Sequence, residues 1–121
     1  MSTHPNVILM ACLTPDDLAR KTYRDICESE NIPVPNDSVK EIKIGEAEYA
    51  IMVMEEAYDE SIQIQAKEGD IVVYELVTYG YGEVISWEKL ERLKTDLEIW
   101  CKKVCEQFKC SYRIEVSANY W

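Results

Sequence analysis

The chain has 121 residues, 47% of them apolar, and 13 basic side chains against 23 acidic ones leave it a net charge of −10. Such a length fits one domain over residues 1–121, and such an apolar content supplies a core and excludes a disordered acidic tail. Apolar runs fall well short of the ~20 residues of a membrane span, and the N-terminus lacks a signal-peptide pattern. Five cysteines at no disulfide-scaffold spacing read as reduced thiols of a cytoplasmic protein.

In chain order, residues 7–11 form an apolar run of strand length. Thr14-Pro15-Asp16-Asp17 then has the chemistry of a helix start. Thr14 can cap, Pro15 suits the first helical position, and two acids follow at the positive end of the helix dipole. The expected helix covers residues 15–30. Leu18, Ala19, Thr22, Tyr23, Ile26 and Cys27 recur at three and four and form its apolar stripe. The two prolines in residues 31–36 end it.

The middle of the chain reads as strands. Residues 39–44 and 49–54 flank a turn at Gly45-Glu46, and residues 61–66 alternate, with Ile62, Ile64 and Ala66 on one face. After a turn at residues 67–70, residues 71–79 are β-branched and aromatic, as a central strand requires. Residues 80–83 break the chain, and Ser86 is placed to cap a second helix over residues 87–109. Its expected stripe is Leu90, Leu93, Leu97, Trp100, Cys101, Val104 and Phe108. Residues 112–120 alternate as a last strand. The order is β-α-β-β-β-β-α-β: an α+β fold with two helices on one mainly antiparallel sheet of five to six strands.

No glycine-rich phosphate loop and no nucleophile-elbow motif is present, so neither a cofactor nor an enzyme is expected. Cys101, Cys105 and Cys110 could serve a metal- or thiol-dependent site. However, zinc takes four ligands, and the single histidine, His4, is remote in sequence. Small buried thiols are the plainer reading. The acidic run 55–60 lacks the spaced acids and central glycine of a calcium loop.

Charge is the informative feature. Between Glu41 and Glu88 there are twelve acids against two bases, Lys43 and Lys67, while the rest of the chain is balanced. Same-face residues of a strand lie about 6.6 Å apart. That is roughly the spacing of successive phosphates on a nucleic-acid strand, so alternate acids such as Glu46 and Glu48 can imitate a row of them. Direct nucleic-acid binding is disfavoured by the same charge.

The expectation is a non-enzymatic protein that binds and inhibits a basic, nucleic-acid-handling partner, in the manner of anti-CRISPR or antirestriction proteins. An immunity protein against a nuclease toxin is the alternative, alongside the thiol-dependent domain. The expected contact residues are Glu46, Glu48, Glu55, Glu56, Asp59, Glu60, Glu68 and Asp70, with Tyr79, Tyr81 and Trp121 as aromatic anchors.

Overall fold

A run of apolar residues with no alternation suits a strand buried on both faces. Residues 7–13 take that position in the computed structural model, which describes residues 5–16, 18–32, 40–54, 58–59, 64–65, 67–78 and 86–120. The strands of the main sheet are β1 (Pro5–Pro15), β2 (Lys40–Ile44), β3 (Ala47–Val53), β6 (Ile71–Thr78) and β7 (Cys110–Tyr120). Two short strands, β4 (Tyr58–Asp59) and β5 (Ile64–Gln65), pair only with each other. The helices are α1 (Ala19–Ser29) and α2 (Trp87–Phe108). The main sheet has the order β2-β3-β6-β1-β7, and every neighbouring pair is antiparallel. The fold is thus α+β, five antiparallel strands with two helices packed on them.

Alternation along the strands assigns the two faces. Leu9, Ala11, Leu13, Ile42, Ile44, Tyr49, Ile51, Ile71 and Val73 pack in one core with Ile26 of α1 and Leu93, Leu97, Trp100, Cys101 and Val104 of α2. Ile8, Met10, Cys12 and Val72 point the other way and form a second buried cluster with Met54. The two strands richest in apolar residues therefore have both faces covered. β6 and β7 both run antiparallel to β1, which lies between them, so α2 crosses over β1 to join two parallel strands.

The second helix follows its sequence closely. Ser86 Oγ accepts from the Lys89 N–H at 3.1 Å, and all five buried residues belong to the expected stripe. Leu90 and Phe108 are half-buried at its ends. Lys109, in left-handed backbone with φ 56°, ends the helix and leads directly into β7.

The helix start expected at Thr14-Pro15 is not formed. Those residues extend β1, where Thr14 pairs with Ser111 and Pro15 with Cys110. Pairing with β6 stops at Leu13↔Ile71, so Pro15 sits past the doubly paired part of the strand, where its missing N–H costs least. α1 begins only at Ala19. Its capping residue, Leu18, makes no side-chain cap bond and is 70% exposed rather than part of the stripe. Long-range pairing with β7 outweighs the local capping preference. Thr22, Ile26 and Cys27 of the expected stripe are buried.

Of the expected strand at 61–66, Ile64 and Gln65 pair with Tyr58 and Asp59 outside the main sheet. Residues 61–63 and 66 lie outside the described residues, as do 33–39 and 80–83.

Candidate functional site

The described residues of the acidic middle of the chain include β2, β3, β4, β5 and β6. Ile42, Ile44, Tyr49 and Ile51 turn toward the helices, so Glu41, Lys43 and Glu48 lie on the opposite face, all three exposed. Lys43 lies directly across from Glu48 in the β2–β3 ladder, so one of the segment's two bases falls within this acidic corner.

Glu46 occupies the two-residue turn with Gly45. Its Oε1 meets Arg92 Nε of α2 at 3.4 Å, with both side chains more than half exposed. Gly45 has φ +63°, and a Cβ there would run into the carboxylate of Asp96. The hairpin tip thus lies close under α2, and its left-handed backbone favours glycine at this place.

Glu68 is exposed in the turn at residues 67–70, at the opposite end of β3 from Glu46. The seven residues of β3 separate the two by roughly 23 Å at strand rise. Glu68 and Glu46 therefore belong to different ends of the sheet rather than to one row.

Asp70 is not a surface acid. It is 2% exposed: Oδ1 accepts from Thr14 Oγ1 at 3.0 Å, Oδ2 accepts from the Lys67 N–H at 3.3 Å, and Arg113 Nη1 lies 3.6 Å from Oδ2. Arg113 also reaches Glu115 Oε1 at 3.2 Å. A carboxylate in this position must be paired to be tolerated, and it is spent on joining the 67–70 turn to β1 and β7. A count of acids along the sequence cannot distinguish it from its exposed neighbours. The only hint is its place at the end of a turn beside an apolar strand.

Asp59 lies in β4, while Glu55, Glu56, Glu60, Tyr79, Tyr81 and Trp121 fall outside the described residues.

Two features were not foreseen in the sequence. Tyr49 is fully buried, and among the described residues its hydroxyl has no hydrogen-bond partner; nor has Glu75 Oε2 on the neighbouring strand. Burial raises the Glu75 carboxyl above its ordinary range, a shift opposed by Lys89 and reinforced by Glu48. Burial likewise drives the Tyr49 phenol far upward, with Glu75 and Asp96 adding to it. In addition, Trp100 Nε1 donates to Glu30 Oε1 at 3.1 Å and ties α2 to the end of α1.

The five cysteines are all free. Cys12, Cys27 and Cys101 are fully buried, and burial pushes the Cys12 thiol up to about 11 and the Cys101 thiol up to about 12. Cys105 and Cys110 are half-buried, and their sulfurs approach to 3.0 Å. Among the described residues no three His, Cys, Asp or Glu side chains converge to hold a metal ion, and no helix is long and apolar enough to cross a membrane.

No protein-family model matches this chain, and neither does any curated protein or solved structure.

Proposed function

We propose that this protein is a non-enzymatic inhibitor that docks its acidic central segment onto the basic groove of a nucleic-acid-handling protein. The observation that carries this reading is the separation of charge along the chain between the two helices and the segment that joins them. α1 holds three bases and two acids, and α2 holds five of each, so the helical layer is nearly neutral. Residues 41–86, ahead of α2, hold eleven acids against two bases, so nearly the whole charge of −10 lies in that segment. Exposed charge of one sign on one part of a molecule steers encounter with an oppositely charged partner.

The contact set is Glu41, Glu48, Glu68 and the acids of 55–60. Asp70 is left out because it is buried and paired. Glu46 is shared with Arg92, and an exposed pair of this kind is weak enough to open toward a partner.

The test is capture from a lysate of the source cells, with wild type beside a variant carrying Glu55→Gln, Glu56→Gln, Asp59→Asn and Glu60→Gln. The expected result is a basic protein retained by wild type, lost from the variant, and released by added duplex nucleic acid. Identical retention by both proteins, unaffected by nucleic acid, would contradict the reading.

A further inference from the structure

Cys105 lies in the last turn of α2, and Cys110 opens β7 immediately after the left-handed Lys109. The chain reversal between them brings Cys110 Sγ to within 3.0 Å of Cys105 Sγ. A disulfide needs about 2.0 Å between sulfurs, so a shift of roughly one ångström would close the bond. Both ends are anchored independently. Val104 is in the core, Cys110 pairs with Pro15, and the Asp16 N–H donates to Lys109 O at 3.1 Å. Both cysteines are half-buried, unlike Cys12, Cys27 and Cys101, so a small oxidant can reach them and not the others.

We propose that Cys105 and Cys110 form a redox-controlled pair that closes to an intramolecular disulfide with oxidised glutathione and reopens on reduction. One thiol gives its proton to solvent and attacks the glutathione disulfide. That S–S bond breaks, and one glutathione leaves as a thiolate that takes up a proton. The second cysteine, likewise deprotonated, attacks the mixed disulfide and expels the second glutathione. Two protein thiols are oxidised, and the two electrons reduce one glutathione disulfide to two glutathione thiols. The bond would staple the end of α2 to β7. Burial raises both thiols, so both are protonated at neutral pH and exchange is slow there and faster in mild alkali.

The experiment uses the folded full chain with excess oxidised glutathione at about pH 8.5, near the pKa of an ordinary thiol. The protein is then unfolded in acid-quenched denaturant, the remaining thiols are alkylated, and the chain is digested with trypsin without reduction. Cleavage after Lys103, Lys109 and Arg113 separates the two cysteines, so the bond appears as peptide 104–109 joined to peptide 110–113. The expected outcome is that linked pair, with three alkylated thiols elsewhere. Dithiothreitol should remove the link, Cys101→Ser should keep it, and Cys110→Ser should lack it. Five alkylated thiols after oxidation of the folded protein, or a bond through Cys12, Cys27 or Cys101 instead, would overturn the proposal. So would a link that forms only after unfolding in urea.

Discussion

Asp70 gathers Thr14 from β1, the Lys67 N–H from its own turn and Arg113 from β7 around one buried carboxylate. Its hydrogen bonds to a charged acceptor are each stronger than a neutral one, and its loss would strand the donors around it. Asp70→Ala is expected to destabilise the protein by about 2 kcal/mol in urea unfolding, with Asp70→Asn in between. Arg113 is partly solvated and contributes the smaller share.

Glu75 presents the opposite case, a carboxylate whose burial is poorly compensated. Its pKa is raised above the ordinary 4.5, so between the unfolded and folded values the native state holds more protons than the unfolded one. Stability therefore falls as pH rises through that window, and the cost is fully present above the folded value. Glu75→Gln is expected to raise stability above that window by up to about 1 kcal/mol, the scale of one unsatisfied buried group. That gain should fade toward pH 4. A gain that stayed constant with pH would place the effect in packing rather than charge. Neither residue's role was legible from sequence, because burial of a single carboxylate depends on which strands surround it.

At the scale of elements, α2 was the most legible part of the chain, because a 3.6-residue stripe and a serine cap repeat one message over 22 residues. Leu97 is fully buried at the centre of that stripe. Leu97→Ala should cost about 3 kcal/mol, within the range for truncating a core leucine, and a chemical melt reads it directly. The turn between β2 and β3 was legible from Gly45-Glu46, but its close fit to α2 was not. Gly45→Ala should destabilise by about 2 kcal/mol, combining left-handed backbone with the clash against Asp96. Gly69 has φ +88° with open space beside it, so Gly69→Ala should cost only the backbone part. Equal losses at the two glycines would show that the Asp96 contact contributes nothing.

The start of α1 was misread for a physical reason that sequence does not display. Thr14 and Pro15 have the local preferences of a helix cap, yet the pairing of β1 with β7 continues through them and keeps them as strand. Strand order was hidden for a related reason, since it depends on which apolar faces meet. The unbroken apolar run at residues 7–13 did carry the one relevant hint, a strand covered on both faces.

On the scale of the whole molecule, the concentration of charge in residues 41–88 was fully legible, but its distribution in space was not. Exposed Glu46 and Glu68 stand at opposite ends of β3, Asp70 is withdrawn into the fold, and Lys43 lies opposite Glu48. A docking surface built from this segment would act mainly through its summed field, not through a regular row of carboxylates. Such a field is screened over about 8 Å at physiological salt, whereas close contacts in a docked complex are screened far less.

The measurement that tests this most directly is the association rate with the captured partner, taken from low to high salt with and without competing duplex nucleic acid. The predicted result is an on-rate that falls steeply as salt rises, an off-rate that changes little, and displacement by the nucleic acid. An on-rate independent of salt, with no competition, would contradict electrostatic docking and leave the acidic segment without a part in recognition.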